Sequence, residues 1–332
     1  MIREARIRAH AKLNLGLRVL YKRPDGYHEL RTIFQTISLA DDLEISFTPA
    51  KLTRIEMEGT PEIPDNLAER AARLVMEAAG KHGSVHLKLR KNIPAGAGLG
   101  GGSSDAAAVL LALPVLAGLT LPMAQLTALA ARLGSDVPFF LYGGTALGLG
   151  RGEELYPLPD QPAERALLIA PVVHSSTADA YRDVSATLTT DTLTKVGLQN
   201  KLDSFQHGAW GSSFGNDKSS LINDFESVVL ARYPELARIR ERLRRAGATR
   251  VAMTGSGSAI FGIFDNPGKL ERARLEWEKR TVSPGAASGA QPERVFSVSF
   301  VSRTRYQGAW RRALNHDRKG NDLWPPQSRH AR

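Results

Sequence analysis

Apolar and polar residues alternate with a period of two along residues 6–18, which is the pattern of a strand with one buried face. The apolar face carries Ile7, Ala9, Ala11, Leu13, Leu15 and Leu17, and the polar face carries Arg8, His10, Lys12, Asn14 and Arg18. Side chains two residues apart on a strand point the same way, so Lys12 and Asn14 are expected to lie about 6.5–7 Å apart on the polar face. By pattern alone, Lys12 is an exposed strand lysine.

A second alternation leads into a long apolar segment. Residues 85–90 alternate between Val or Leu and charged residues or His, which predicts another half-buried strand. Residues 106–113 are Ala, Val and Leu only, and they predict a buried helix. The N-cap of that helix is expected at Ser103, Ser104 or Asp105, because short polar side chains cap helices well.

Shorter patterns predict the remaining elements. One amphipathic helix begins after Asp65 or Asn66 and ends at Gly80, and another, Met123–Leu133, ends at Gly134. Pro-Asp-Gly at residues 24–26 predicts a hairpin turn. Further strands are predicted at residues 43–47, 52–57, 144–149, 166–170, 259–264 and 294–301, and further helices after Ser176 or Thr177, at 234–246 and at 268–279.

The length of 332 residues favours two domains. Prolines cluster near residues 157–162, so we expect an N-terminal domain at residues 1–160 and a C-terminal domain at residues 161–302. Residues 185–219 are rich in Ser, Thr, Gly, Asn and Asp and predict a loop insertion. The basic tail at residues 303–332 is expected to be disordered.

Composition excludes several classes of protein. No apolar run is long enough to span a membrane, and no secretory signal is visible at the N-terminus, so a cytoplasmic location is expected. The absence of cysteine excludes disulfides and thiol nucleophiles. The net charge of +10 does not by itself indicate nucleic acid, because much of the excess lies in residues 232–250 and in the tail. Composition leaves the oligomeric state open.

The segment between the second alternation and its helix has five glycines in the seven residues 96–102. Glycines that precede a helix N-terminus allow backbone N–H groups to approach a phosphate, whereas in isolation such a segment is also a flexible turn. The Walker pattern fails, because no lysine lies between Lys91 and Lys195. The dinucleotide pattern G-x-G-x-x-G matches, but the strand before it is only half buried, and residues 106–135 contain no Asp or Glu.

Residues 94–107 read P-A-G-A-G-L-G-G-G-S-S-D-A-A and resemble the central motif of the GHMP kinase superfamily. The doubled glycine before the serine pair resembles the motif of one family in this superfamily, the kinases that act on 4-diphosphocytidyl-2-C-methyl-D-erythritol. The resemblance implies binding of ATP with Mg²⁺, although it assigns no acidic ligand to the metal. The ATP-binding residues that it implies are Pro94, Ala95, Gly96, Ala97, Gly98, Leu99, Gly100, Gly101, Gly102, Ser103 and Ser104.

Other motifs of that family follow in the right order. Residues 11–15 resemble its first motif, in which Lys12 and Asn14 line the active site. R-x-D-G-Y-H-x-L at residues 23–30 is similar to its signature, which implies that Tyr27 stacks on the cytosine and His28 hydrogen-bonds it. By similarity Tyr181 is a second aromatic residue at the cytosine, although a core tyrosine fits the pattern nearly as well. Residues 251–258 resemble the third GHMP motif, in which Gly255 and Ser256 close over the substrate.

Asp136 has two readings. With Pro138 in the first helical turn, it is a helix N-cap by pattern. Residues 134–140 also resemble the segment that carries the catalytic aspartate of the family. The resemblance then places Lys12 and Asp136 beside the acceptor hydroxyl; we expect Asp136 to orient the hydroxyl and accept its proton late, while Lys12 stabilises the moving phosphoryl group.

The resemblance implies an α+β fold of two domains, with a ribosomal-S5-like N-terminal domain, a ferredoxin-like C-terminal domain and the site in the cleft between them. The implied reaction is transfer of the ATP γ-phosphoryl group to the 2-hydroxyl of the diphosphocytidyl polyol in non-mevalonate isoprenoid biosynthesis. Two alternatives remain open at this point. One is another GHMP kinase that acts on homoserine or mevalonate, and the other is a non-catalytic S5-like protein that binds nucleic acid.

Overall fold

The computed structural model describes residues 3–60, 63–173, 175–188, 194–214, 221–281, 293–314 and 324–326. The N-terminal part contains strands β1 (Arg3–Lys22), β2 (His28–Pro49), β3 (Arg54–Thr60), β4 (Gly83–Arg90), β5 (Thr145–Leu149) and β6 (Glu154–Pro157). Its helices are α1 (Leu67–Ala79), α2 (Gly101–Ala117), α3 (Met123–Leu133) and α4 (Val137–Tyr142). The predicted α+β class is therefore observed.

The C-terminal part contains strands β7 (Arg165–Ala170), β8 (Arg250–Met253), β9 (Ile260–Phe264) and β10 (Arg294–Ser299). Its helices are α5 (Thr177–Thr187), α6 (Lys195–Phe214), α7 (Glu226–Arg232), α8 (Pro234–Arg245), α9 (Pro267–Thr281) and α10 (Arg303–Ala313). No helix among the described residues is long and apolar enough to cross a membrane.

Two sheets organise the described chain. The first has the strand order β3-β4-β2-β5-β6, and β1 pairs antiparallel with β2 along most of its length. The second has the order β10-β7-β9-β8, which is the split β-α-β arrangement of ferredoxin-like domains. The first sheet ends at Pro157 and the second begins at Arg165, on either side of the predicted boundary.

The two sheets share a core, and this core explains the burial of β1. Apolar side chains of β1 and β2, including Ala11, Leu13 and Ile37, pack against Ala166, Leu168 and Phe261 of the second sheet. The expected alternation holds as far as His10, but residues 11–14 are then buried on both faces. The reading of Lys12 as an exposed strand lysine is therefore wrong, because its side chain lies beside Phe34, Gly100 and Asp136 of the N-terminal domain.

Local signals predict several helix ends correctly. The Asn66 side chain caps α1 by accepting a hydrogen bond from the Ala68 N–H at 2.9 Å, and Gly80 ends the helix in the left-handed conformation. Helix α3 has the predicted bounds. Ser176 caps α5 through the Asp179 N–H.

The predicted cap of α2 is wrong. The helix begins at Gly101, two residues before Ser103, and its N-cap is Gly100 with φ 69°. Serine and aspartate rarely adopt this left-handed conformation, so the chain enters the helix through glycine. The side chains of Ser104 and Asp105 therefore do not cap the helix and form hydrogen bonds with other parts of the fold.

Two segments predicted without regular structure contain helices. Part of residues 185–219 forms the end of α5 and all of α6, where Phe205 packs against Ile33; residues 189–193 and 215–219 lie outside the described residues. The prediction that residues 303–332 are disordered is wrong for residues 303–313, which form α10 and bury Tyr306 and Trp310 against the N-terminal core. Residues 315–323 and 327–332 lie outside the described residues.

Candidate active site

A cavity of about 940 Å³ lies between the two domains. The N-terminal domain contributes β1, the turn before β2, the glycine loop at residues 96–102 and Asp136. The C-terminal domain contributes α5 and the loop between β8 and β9. Its volume is in the upper range of small-molecule sites, so it can hold a nucleotide-sized ligand.

Lys12 and Asp136 meet in this cavity. Lys12 Nζ lies 3.7 Å from Asp136 Oδ2 and donates a hydrogen bond to Asn14 Oδ1 at 2.5 Å. The Lys12 side chain is 3% exposed, whereas the Asp136 side chain is 36% exposed and therefore open to a ligand. Burial lowers the pKa of Lys12, and the nearby Asp136 carboxylate opposes that effect.

Asp136 stands at the N-cap position of α4, but its side chain makes no capping hydrogen bond. The carboxylate faces Lys12 instead. The capping reading of Asp136 is therefore wrong, and its charge is available to the cavity.

Asn14 links the first strand to the rest of the site. Its side-chain amide donates to Thr32 Oγ1 at 2.7 Å, and its backbone N–H donates to Thr254 Oγ1 at 3.1 Å. Thr32 Oγ1 donates in turn to the Gly16 carbonyl at 2.8 Å. These bonds hold the Asn14 oxygen toward Lys12 and fix the ammonium group in place.

The glycine loop divides its residues between the core and the cavity. Gly96, Gly98, Gly100 and Ser103 line the cavity, whereas the side chains of Ala97 and Leu99 are buried in the shared core. The backbone N–H groups of the first turn of α2 have no intrahelical partners, so the loop and the helix present unpaired donors of the kind that suit an anion. Of the remaining predicted ATP-binding residues, Pro94, Ala95, Gly101, Gly102 and Ser104 do not line the cavity, and Ser104 Oγ donates to the His10 carbonyl.

The glycine loop packs directly against the third motif. A Cβ atom added to Gly98 would lie 2.2 Å from the Thr254 carbonyl oxygen, and Gly98 has φ +77°. Gly255 lies on the other side of this contact, with φ +57°. Only glycine allows the two loops to approach so closely.

Asn223 holds the third loop. Its side-chain amide donates to the carbonyls of Met253 and Gly255 at 2.8 and 2.9 Å. Ser175 Oγ donates to the Ser256 carbonyl at 3.0 Å. Gly255 and Ser256 thereby line the cavity opposite the glycine loop.

Behind the glycine loop, Lys91 joins two buried carboxylates from different elements. Its Nζ donates to Asp105 Oδ2 of α2 at 2.7 Å and to Asp41 Oδ2 of β2. Asp41 also accepts hydrogen bonds from the N–H groups of Asn92 and Ile93, at 2.5 and 2.8 Å. This cluster fixes the chain on both sides of the loop.

Replacing Asp105 with Asn is expected to flatten the pH dependence of stability. Burial raises the pKa of Asp105 from 3.8 to about 7, with Lys91 opposing and Asp41 reinforcing the shift. The folded chain therefore binds this proton more tightly than the unfolded chain, and the free energy of unfolding falls as the pH rises from about 4 to about 7. The shift corresponds to a loss of up to about 4 kcal/mol.

Urea unfolding at pH 4.5 and pH 8 tests this expectation. The wild-type chain should lose more stability between the two pH values than Asp105→Asn does, and the exposed variant Asp265→Asn should behave like the wild type. Equal losses in all three proteins would show that folding does not raise the pKa of Asp105.

The far end of the cavity is aromatic. The His28 and Tyr181 rings stack with centroids 4.9 Å apart, and Phe225 packs edge-on against Tyr181 at 4.8 Å. Tyr27 is 53% exposed, and the Arg151 guanidinium lies 4.6 Å from its ring centroid. An exposed ring beside a buried one provides a stacking surface for a planar ligand.

Burial, and secondarily Lys22, lower the pKa of His28, which favours the neutral imidazole. Its Nε2 lies 2.5 Å from Ser185 Oγ, which itself donates to the Tyr181 carbonyl. A neutral imidazole offers one donor and one acceptor, so His28 can take part in directed hydrogen bonds.

Basic side chains dominate the lining of the cavity. Lys12, Lys22, Arg151 and Arg182 line it, and among its described lining residues Asp136 is the sole carboxylate. This imbalance suits a ligand with several negative charges. In the part of the chain that the structure describes, no group of three or more His, Cys, Asp or Glu residues could hold a metal ion.

The structure brings together the predicted Lys12, Asn14, Tyr27, His28, Asp136, Tyr181, Gly255 and Ser256. Sequence reasoning missed Thr32, Arg151, Arg182 and Ser185, which also line the cavity. The sequence holds one hint of Thr32, because it is a polar residue in a predicted strand whose neighbours Ile33 and Ile37 are apolar. The other three lie on a turn or a helix face, where no local pattern separates them from surface residues.

Comparisons with known proteins match both domains. The GHMP kinases N terminal domain matches residues 66–144, and the GHMP kinases C terminal family matches residues 204–283. The 4-diphosphocytidyl-2-C-methyl-D-erythritol kinase of Solibacter usitatus (strain Ellin6076) is 52% identical over 329 residues, which cover 99% of this chain and 98% of that relative.

Solved structures agree with these matches. A crystal structure of 4-(cytidine 5'-diphospho)-2C-methyl-D-erythritol kinase matches with a TM-score of 0.69 and 37% identity, over 89% of this chain and 98% of the other. A homoserine kinase from Cytophaga hutchinsonii ATCC 33406 matches with a TM-score of 0.67 and 19% identity, over 90% of this chain and 95% of the other. At that identity the second match concerns the fold alone.

Proposed function

The chain belongs to the 4-diphosphocytidyl-2-C-methyl-D-erythritol kinase family of GHMP kinases, and from this membership we propose that it transfers the γ-phosphoryl group of ATP to the 2-hydroxyl of 4-diphosphocytidyl-2-C-methyl-D-erythritol. The predicted family and the two-domain GHMP kinase fold are confirmed by the same matches. The reaction belongs to non-mevalonate isoprenoid biosynthesis. A cytoplasmic location stays a prediction.

One observation carries the proposal: a single cavity holds both the Lys12–Asp136 pair and the aromatic group of Tyr27, His28 and Tyr181. The first provides a charged centre for phosphoryl transfer, and the second provides a surface for a base. A cytidine diphosphate-linked polyol has a base at one end, a hydroxyl group at the other and negative charge between them. The cavity therefore offers a matching feature for each part of this substrate.

At the base end, the exposed Tyr27 ring stacks on the cytosine, and Arg151 holds that ring in place. His28, neutral and turned by Ser185 and Tyr181, hydrogen-bonds the cytosine edge. Lys22, Arg151 and Arg182 surround the diphosphate in this arrangement. Homoserine and mevalonate have no base, so this end of the cavity supports a cytidine substrate over either of them.

At the transfer end, the glycine loop and the N-terminus of α2 bind the ATP phosphates through backbone N–H groups. The helix is 17 residues long, and its dipole adds about 0.3–2 kcal/mol of attraction for an anion at its first turn. Gly255 and Ser256 close the opposite side of the cavity.

Asp136 and Lys12 have different roles in the transfer. The half-open Asp136 carboxylate accepts a hydrogen bond from the acceptor hydroxyl, orients it, and receives its proton late in the transfer. The buried Lys12 ammonium stabilises the negative charge that develops on the moving phosphoryl group. Asn14 keeps the ammonium group from turning away, through its 2.5 Å hydrogen bond.

Mg²⁺ fits this arrangement as a companion of ATP. It would be held mainly by the ATP phosphates, because Asp136, the one carboxylate among the described lining residues, is assigned to the acceptor hydroxyl and no acidic residue is assigned to the ion. When bound, the ion would neutralise charge on the transferred phosphates.

Replacing Tyr27 with Ala is expected to raise the KM for the cytidine substrate by roughly 5- to 150-fold, because stacking of a base on an aromatic side chain contributes about 1–3 kcal/mol. The KM for ATP should stay near the wild-type value. Tyr156 offers a matched control: it is also 53% exposed and lies on β6 outside the cavity.

The test measures ADP formation with Mg²⁺-ATP and, in separate reactions, diphosphocytidyl-methylerythritol, mevalonate and homoserine. Turnover is expected with the cytidine substrate alone. Turnover with mevalonate or homoserine would overturn the proposed substrate, and an equal effect of Tyr27→Ala and Tyr156→Ala would overturn the proposed position of the base.

A further inference from the structure

A second cavity, of about 320 Å³, lies between the start of β1 and helix α10. It shares no lining residue with the active-site cavity. We propose that this cavity binds a small organic phosphate, that is, a phosphate group attached to a short apolar group.

Four arginines from two elements line this cavity. Arg6 and Arg8 come from β1, and Arg305 and Arg312 come from α10. Arg6 forms an ion pair with Glu44 at 3.4 Å. Within the described ranges of the chain, Arg8, Arg305 and Arg312 form no ion pair, and no carboxylate is among the residues that line the cavity.

The charge of this cavity acts on His10, which also lines it. Burial, together with the smaller effects of the charges of Arg8 and Arg305, lowers the pKa of His10 to about 4, although the hydrogen bond to the Ile37 carbonyl opposes the shift. His10 Nδ1 lies 2.9 Å from the Ile37 carbonyl, so the ring is held in place as a neutral group. Among the described residues, Glu44 offsets the charge of Arg6 alone, and the charges of Arg8, Arg305 and Arg312 have no acidic partner.

Guanidinium groups bind phosphate oxygens through paired hydrogen bonds, and β1 and α10 both supply them to this cavity. A phosphate group has more oxygens and more negative charge to share among several arginines than a carboxylate has. Arg8 makes only a long 3.4 Å contact with the Ser38 carbonyl, so its other N–H groups remain available for a ligand.

Part of the cavity wall is apolar. It is formed by Ile7, Val301, Trp310 and the methyl groups of Ala309 and Ala313. A chain of a few carbons attached to the phosphate would cover the apolar surface that these residues still present to the cavity, which inorganic phosphate cannot do. This wall is the reason that the proposed ligand is an organic phosphate.

Isothermal titration calorimetry with n-pentyl phosphate and with inorganic phosphate tests the proposal. The enzyme is first saturated with Mg²⁺ and a non-hydrolysable ATP analogue, so that the glycine loop is occupied. We expect one site for n-pentyl phosphate, at least fivefold tighter than inorganic phosphate. The double variant Arg8→Gln/Arg305→Gln should weaken binding at least tenfold, and Arg132→Gln, an exposed arginine on α3, should leave it unchanged.

Three results would overturn the proposal. They are no binding of n-pentyl phosphate, binding that disappears when the ATP analogue is present, and binding that Arg8→Gln/Arg305→Gln and Arg132→Gln affect equally. Equal affinity for the two probes would overturn the role of the apolar wall. Because Arg8 and Arg305 are exposed, the variants should keep the wild-type melting temperature and kcat, and these values confirm that any loss of binding is local.

Discussion

Replacing Asp136 with Asn is expected to lower kcat by about 10²–10⁴, the usual contribution of a residue that accepts a proton in the transition state. The asparagine keeps the size of the side chain but can neither accept the proton nor hold the hydroxyl as strongly. The KM for ATP should change little, because the glycine loop and α2 bind the phosphates through backbone groups.

The Asp136→Asn variant is expected to keep the stability of the wild type, so a loss of activity would reflect catalysis. Asp136 makes no capping hydrogen bond to α4, so no cap is lost. Removing its charge takes away the group that raises the pKa of Lys12, and the pKa of Lys12 should fall further. The remaining activity of the variant should therefore decline at a lower alkaline pH than the activity of the wild type.

Asp265→Asn is the matched control for this variant. The Asp265 carboxylate lies 3.9 Å from Lys269, close to the 3.7 Å of the active-site pair, but it lies outside the cavity. Steady-state kinetics of both variants with the cytidine substrate provide the comparison. A kcat of Asp136→Asn within a fewfold of the wild type would refute the proposed role of Asp136.

The elements that the sequence predicts well are those whose signals are local. Gly80 and Gly134 end their helices as expected, because a glycine at a helix end acts on the neighbouring backbone alone. Asn66 and Ser176 cap helices for the same reason. The burial of Lys12, in contrast, depends on Phe34, Gly100 and Asp136, which are distant in sequence, and no pattern near Lys12 encodes those contacts.

Helices α6 and α10 also depend on contacts that the local sequence does not reveal. Their sequences are polar or basic, so composition predicts a loop and a tail. Aromatic side chains provide the main apolar contacts of each helix: Phe205 packs against Ile33, and Tyr306 and Trp310 enter the N-terminal core. A few buried aromatic residues outweigh a polar composition when a groove is present to receive them, and that groove is formed by distant residues.

The candidate site divides in a similar way. Spacing along β1 places Lys12 and Asn14 on one side of the strand, and their hydrogen bond agrees with that. The meeting of Lys12 with Asp136 across 124 residues follows only from the family resemblance and the fold. Arg151 could not be found from its turn sequence, since its contact with Tyr27 exists only when β5 and β2 pair.

Replacing Lys12 with Met is expected to lower kcat by about 10²–10³, the usual effect of removing one preorganised group that stabilises transition-state charge. Methionine is similar to lysine in length and apolar, so it fits the space beside Phe34, whose ring centroid lies 5.4 Å from the Lys12 Nζ. The loss should appear in kcat more than in the KM for the cytidine substrate, because the base is held at the other end of the cavity.

The stability of Lys12→Met should stay unchanged or increase, since the variant removes a charge that is 3% exposed and leaves a partner, Asp136, that water can reach. Lys269→Met, from the exposed pair with Asp265, controls for loss of a lysine as such. In the double variant Lys12→Met/Asp136→Asn, the decrease in log kcat should be smaller than the sum of the decreases in the two single variants, because both groups act on the same transferred phosphoryl unit. A fully additive double variant would mean that Lys12 and Asp136 act independently, and a Lys12→Met enzyme with wild-type kcat would remove Lys12 from the chemistry altogether.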